Sequence, residues 1–210
     1  MYRPAHFRED RREVLGGLMR AAPFAQVVLA TERGLEANGL PLLLRQRDDG
    51  LILAGHVARS NPVWQMPVIG EALAIFSGPQ GYITPSAYAS KAIDGKVVPT
   101  WNYVTVHAYG SLRWIHDDDW LAQLLLELTD ENEAGRAHPW RVSDAPASYT
   151  AGLRKGIVGL ELEVTRLEGK LKLAQNRPRA DRESAIADLS ARGDEASAAL
   201  AEAMRAVLDE

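Results

Sequence analysis

Val98-Pro99-Thr100-Trp101-Asn102-Tyr103-Val104-Thr105-Val106-His107-Ala108-Tyr109-Gly110-Ser111-Leu112-Arg113-Trp114-Ile115 reads as one long strand. Even positions Val104, Val106, Ala108 and Leu112 are small or aliphatic, whereas odd positions Trp101, Tyr103, His107 and Tyr109 are aromatic. Side chains alternate faces along a strand, so this one carries an aliphatic side suited to a barrel interior and an aromatic side. The aromatic side is too large to leave wet without reason. It suits a partner subunit, a planar ligand or another element of the same chain.

Working outward, short apolar runs separated by turn signals give further strands. They are Gln26–Thr31, closed by Arg33-Gly34, then Leu40–Arg45, ended by Asp48-Asp49-Gly50, then Leu51–Val57, and Ala72–Ser77, ended by Gly78-Pro79. Leu160, Leu162 and Val164 alternate with Glu161, Glu163 and Thr165. The pattern resumes at Leu171 and Leu173 with opposite parity, which predicts a bulge or turn near Glu168-Gly169. Helices are expected over residues 7–20, after an Asp117 cap across Trp120, Leu121, Leu124, Leu125 and Leu128, and as two polar tail helices over 181–191 and 194–208. Leu200, Met204, Val207 and Leu208 give the last helix a docking face. The loops between the early strands are too short for crossovers, so antiparallel pairing follows. The fold class expected from the residues is mainly β (α+β): six to seven antiparallel strands with peripheral helices, in a closed or split barrel.

Composition limits the function. The 210 residues are 46% hydrophobic and 25% charged, the balance of an ordinary globular protein. No apolar run approaches the ~18 residues a spanning helix needs, and the start lacks a signal-peptide core, so no membrane and a cytoplasmic location are expected. Absence of cysteine excludes disulfides, thiolate metal sites and cysteine nucleophiles. The five histidines show no ligand-like spacing, and no metal is expected. No nucleophile elbow, P-loop or dinucleotide fingerprint is present. A formal charge of −4 gives no general support to a DNA partner, although a local basic patch remains open.

Three segments could carry chemistry. Gly55-His56-Val57-Ala58-Arg59-Ser60-Asn61-Pro62-Val63-Trp64 leaves a strand for a helical turn, with Asn61 a favoured N-cap and Pro62 a favoured first residue. With His56, Arg59 and Ser60 beside it, this corner reads either as a phosphate cradle or as a plain cap with a surface arginine. At Pro99–Tyr103, Trp101 could stack on a flat ring and Asn102 could address its polar edge; an aromatic dimer interface is the alternative. Lys170, Lys172, Gln175, Asn176, Arg177 and Arg179 form the locally basic stretch, a phosphate or nucleic-acid contact or else a solvated loop.

In order, Met1-Tyr2-x-Pro4-x-His6-Phe7, Leu40-Pro41-Leu42, Gly55–Pro62, Phe76-Ser77-Gly78-Pro79, Tyr82-Ile83-Thr84-Pro85-Ser86-x-Tyr88, Val98–Tyr103, Lys155-Gly156-Ile157-Val158-Gly159 and Lys172-Leu173-x-Gln175-Asn176-Arg177 resemble the PaiB family of FMN-binding negative transcriptional regulators. Ala87 departs from the tryptophan that family tends to carry there. The resemblance implies an FMN-binding split-barrel domain over residues 1–178, with 179–210 a helical extension outside it. It further implies a homodimer with FMN at the subunit interface. By that analogy His56, Arg59, Ser60 and Asn61 hold the phosphate and ribityl chain, and Leu40, Pro41 and Leu42 run under the isoalloxazine. Trp101, Asn102, Lys172, Gln175 and Arg177 close the pocket. The function implied is a flavin-dependent redox or sensor protein. The alternatives are a DNA-binding regulator without turnover, or a haem-binding relative with an axial histidine. No side chain stands out as a catalytic acid or base beyond the candidates His56 and His107.

Overall fold

The computed structural model describes residues 1–48 and 50–209, so Asp49 of the expected Asp48-Asp49-Gly50 turn and Glu210 of the tail lie outside the described residues. In chain order the elements are β1 (Arg8–Glu9), α1 (Arg12–Ala21), β2 (Phe24–Thr31), β3 (Gly34–Pro41), β4 (Leu43–Arg47), β5 (Gly50–Ala58), β6 (Ala72–Ile83), α2 (Lys91–Asp94), β7 (Thr100–Ile115), α3 (Asp118–Glu133), α4 (Ala147–Arg154), β8 (Ile157–Lys172), α5 (Arg179–Ala191) and α6 (Glu195–Ala206). Eight strands form one sheet in the order β3-β2-β6-β7-β8-β5-β4, with β1 against β8. Every pairing whose register is described is antiparallel. The expected class therefore stands, with more strands than expected. Among the described residues no helix is long and apolar enough to cross a membrane.

Two compact units divide the chain. One holds residues 1–21, 76–107 and 168–210, the other 22–75 and 108–167. We call them the tail unit and the corner unit.

In the corner unit, β2 and β3 form a hairpin in register from Phe24↔Pro41 to Thr31↔Gly34. The Thr31 hydroxyl donates to the Gly34 carbonyl and accepts the Arg33 N–H, which locks the turn. The single expected run Leu40–Arg45 is in fact two strands. The Leu42 N–H donates to the carbonyl of Pro23, opposite it in the β2–β3 register, at 2.9 Å; Pro23 has no N–H to return the bond, and the chain changes partner there, from β2 to β5. β5 and β8 pair from Leu51↔Val164 to Ala58↔Ile157. Leu53, Ala54, Leu160 and Leu162 are fully buried along that seam. The Asp117 carboxylate caps α3 by accepting the Trp120 N–H at 2.7 Å, as the sequence leads one to expect.

A buried carboxylate binds this unit together. Glu161 on β8 accepts hydrogen bonds from Arg47 of β4 at 2.8 Å, from Arg113 of β7, and from the indole N–H of Trp120 on α3 at 3.0 Å. Its side chain is only 2% exposed. Burial pushes its pKa up, but the hydrogen bonds of Arg113 and Trp120, with the charges of Arg113 and Arg47, outweigh that and hold it below the ordinary 4.5.

In the tail unit the sequence expectation needs three corrections. The helix expected over 7–20 begins only at Arg12, because Arg8 and Glu9 pair with Lys170 and Gly169 of β8. β6 continues through Gly78-Pro79 to Ile83. Gly78 is a close-approach site, where a Cβ would stand 3.0 Å from Cβ of Val104, and proline is tolerated where a strand needs no donor. Of the bulge or turn expected near Glu168-Gly169, the turn is the alternative that the structure overturns. β8 stays extended there, and a Cβ at Gly169 would overlap the Leu15 side chain and lie 2.9 Å from the Glu9 carbonyl. The tail helices contribute Ala185, Ile186, Leu189, Leu200, Ala201, Met204 and Val207 to one cluster with Ile83, Ala87, Tyr88, Val104 and Leu173. Ala87, the departure from the family pattern, is thus a buried core residue.

Two stability predictions follow from this packing. A Cβ at Gly110 would overlap the Glu163 carbonyl, so Gly110→Ala should cost about 3 kcal/mol or more in urea unfolding. Gly152→Ala, on α4 in open space, should be neutral or gain about 0.5–1 kcal/mol; equal effects at the two sites would contradict the packing. Glu161→Gln should lose roughly 2–3 kcal/mol at neutral pH. Because the folded-state pKa of Glu161 is depressed, its contribution is present above about 4.5 and is lost as pH falls through the folded value. The wild-type should therefore shed more stability than the variant below pH 4.5, and parallel pH curves would refute the role of this carboxylate.

Candidate functional site

At the end of β5 the corner unit turns sharply into a 3-10 turn over Pro62–Gln65. Asn61 makes the turn as expected. Its side-chain oxygen accepts the Val63 N–H at 3.0 Å, and its backbone N–H donates to the Ala58 carbonyl. Its amide nitrogen donates to Asn38 Oδ1 on β3 at 2.8 Å, so one side chain both caps the turn and ties it to the hairpin.

Arg59 is held differently from a surface arginine. Its backbone N–H donates to the Gly156 carbonyl, its Nε to the Lys155 carbonyl at 2.8 Å and its Nη2 to the Ile157 carbonyl at 2.9 Å. The guanidinium lies 5.8 Å from the Trp64 ring centre, and the Trp64 indole N–H donates to the Arg59 carbonyl. His116 meets Trp64 edge-on at 5.3 Å. Two of the five guanidinium N–H donors are spent on neutral carbonyls, and among the described residues no carboxylate pairs with it. The positive charge is positioned but not neutralised. Ser60 is exposed beside it.

His56 sits opposite Gly159 in the β5–β8 ladder. Its Nδ1 is buried without a hydrogen-bond partner among the described residues. Burial lowers its pKa from 6.5, so the ring is neutral at pH 7. Next to it Gly55 lets Leu42 and Pro41 approach; a Cβ there would lie 2.8 Å from the Leu42 side chain and 3.1 Å from the Pro41 carbonyl. Leu40 is half-buried, Pro41 exposed and Leu42 buried. Pro41 has no N–H to offer and that of Leu42 is committed to Pro23, which leaves carbonyls and side chains there for a ligand.

Trp101, Asn102, Lys172, Gln175 and Arg177 all belong to the tail unit. Trp101 is 51% exposed, with its indole N–H on Gln80 Oε1 at 3.2 Å. Asn102 is on the opposite, buried face of β7, where its Nδ2 reaches Met204 Sδ at 3.5 Å and its Oδ1 has no partner among the described residues. Strand alternation thus corrects the idea that one flat ligand both stacks on Trp101 and meets the Asn102 amide. Lys172 Nζ donates to Thr100 Oγ1 and to the Trp101 carbonyl, and burial lowers its pKa. Gln175 is occupied at both ends, accepting the Leu173 N–H and donating to the Leu171 carbonyl. Arg177 stacks 4.2 Å from the Tyr88 ring centre and stands 3.9 Å from Asp181. Arg179 pairs with Glu183 and Asp209, so two of the stretch's four cations, Arg177 and Arg179, stand beside carboxylates of the same unit.

The sequence reading did not foresee Asn38, Trp64, His116 or the 155–157 carbonyls as parts of the corner. Trp64 and Lys155–Ile157 lie within recognised motifs but had no role there. Asn38 has no local signal, since its partner is 23 positions away.

The family model described as "Putative FMN-binding domain" matches residues 1–166. An uncharacterized protein of Emericella nidulans is 31% identical, covering 98% of this chain and 96% of its own length. The protease synthase and sporulation protein PAI 2 of Bacillus subtilis is 32% identical, covering 90% of this chain and 89% of its own. Among solved structures, the flavocytochrome Anf3 from Azotobacter vinelandii superposes with a TM-score of 0.58 at 15% identity, over 81% of this chain and 72% of that one. The FAD and heme binding protein from Mycobacterium smegmatis gives 0.56 at 19%, over 79% and 73%. At those identities the likeness is one of fold, the split barrel.

The neutral ring in the corner gives a direct check. In an NMR titration His56 should show a midpoint below 6.5, and stability that depends on its neutral form should be present above 6.5 and fall as pH drops through that midpoint. A midpoint at or above 6.5 would contradict the burial described here.

Proposed function

Because the chain belongs to the PaiB family of FMN-binding domains, we propose that it is a flavin-dependent redox or sensor protein, working as a homodimer in the cytoplasm, with FMN anchored at His56, Arg59, Ser60 and Asn61. The observation that carries the assignment is Arg59, a guanidinium fixed by carbonyls and left without a counter-charge. A phosphate is the group such a fork recognises best. The buried, unsatisfied Nδ1 of His56 adds a polar atom that a ribityl hydroxyl or a ring heteroatom can satisfy.

Bound FMN would supply one- or two-electron transfer through its isoalloxazine ring. The protein's part is position and electrostatics. Arg59 and the Ser60 hydroxyl hold negative charge, and Asn61 keeps the corner in shape through Val63 and Asn38. Neutral His56 offers a hydrogen bond without adding charge. Leu40, Pro41 and Leu42 are assigned to the ring by the family analogy, as are Trp101, Lys172, Gln175 and Arg177 to covering it in the homodimer; Asn102, buried on the other face of β7, is not among them. Of these, Trp101 has an open ring face suited to the task. Gln175 contributes through backbone order instead, since its amide is committed locally. The DNA-binding alternative draws little from the basic stretch, because Arg177 and Arg179 face Asp181, Glu183 and Asp209.

The test is a flavin titration followed by fluorescence and the visible spectrum. Saturable quenching is expected, weakened about tenfold or more by Arg59→Ala and less by Asn61→Ala, with circular dichroism confirming that both variants fold. No saturable response, or equal affinity in wild type and Arg59→Ala, would overturn the assignment. A Soret band in the purified protein would favour the haem alternative.

A further inference from the structure

The tail unit contains a cavity of about 320 Å³ that is lined by His6, Phe7, Arg8, Glu9, Gln175 and Arg182. Arg182, on α5, is only 7% exposed. Its Nη2 donates to the Val207 carbonyl, and its Nε is buried with no hydrogen-bond partner among the described residues. The charged and amide groups beside it in the wall have partners. Arg8 pairs with Asp10 at 2.9 Å, and Glu9 is held by the backbone and guanidinium of Arg11. The amide of Gln175 closes on Leu173 and Leu171. Asp181, the neighbour of Arg182 in sequence, accepts from the N–H and hydroxyl of Ser90 instead.

Among the described residues this guanidinium has no carboxylate partner, and a buried cation without one is costly unless a bound anion supplies the counter-charge. The cavity is at the small end of ligand pockets. We propose that it is a binding site for a small oxyanion, a carboxylate or phosphate on a short stem, with Arg182 as its anchor. The proposal does not rest on the flavin reading. Its walls come from residues 5–9, from Leu171 at the end of β8, from Gln175 and from α5, so an anion there would link the N-terminal segment to the tail helices.

Isothermal titration with succinate and with inorganic phosphate, at constant ionic strength and in the Arg59→Ala background, tests this. At least one probe should bind saturably at concentrations up to about 10 mM, and Arg182→Gln should weaken it about tenfold or abolish it. Arg182→Gln also loses the link to Val207, so Ala5→Trp, a substitution on the exposed rim that fills the cavity without touching that bond, serves as a second variant. It should abolish binding while leaving the fold intact. Saturating FMN should leave the anion affinity unchanged. The proposal is overturned if neither probe binds, if binding survives both variants, or if FMN competes for the site.

Discussion

The corner unit depends on one desolvated carboxylate. Glu161 sits on β8 at the centre of the β5–β8 seam and gathers β4, β7 and α3 through Arg47, Arg113 and Trp120. A buried charge of this kind is tolerable only when its partners are all present, which makes those elements mutually obligatory. The same strand, a few residues earlier, supplies Gly159 opposite His56 and the Ile157 carbonyl to Arg59. The strand that carries the structural hub therefore also positions the corner proposed to bind FMN.

That corner works by subtraction. Arg59 is immobilised, but by neutral carbonyls, so fixing it does not neutralise it. Trp64, stacked on Arg59 and bonded to its carbonyl, limits its rotamers. His56 is kept uncharged by burial. A fixed positive charge three residues from a neutral polar ring suits a phosphate on a polar chain, and pre-positioning lowers the entropic cost of binding it.

Much of this was legible in the sequence where the signal was local. The alternation of β7 is as read, with Val104, Val106 and Ala108 buried. The Asn61 and Asp117 caps are as read too, because a cap needs only its next few residues. The reading failed where the deciding partner was distant. Leu40–Arg45 splits because Pro23, opposite Leu42, has no N–H to carry the β2–β3 ladder further, and β1 forms because Lys170 and Gly169 are there to pair with. At the site, Arg59 was legible but its anchors, nearly a hundred positions away, were not. The opposite facing of Trp101 and Asn102 follows from strand parity alone and could have been read from the start.

The most direct measurement is hydrogen exchange with and without FMN. The account predicts slowed exchange concentrated at residues 55–64 and at the 155–158 segment that holds Arg59, since binding should freeze the corner and its anchors together. FMN binding that leaves both segments unchanged while protecting another part of the chain would contradict the claim that Arg59 and His56 form the flavin's anchor.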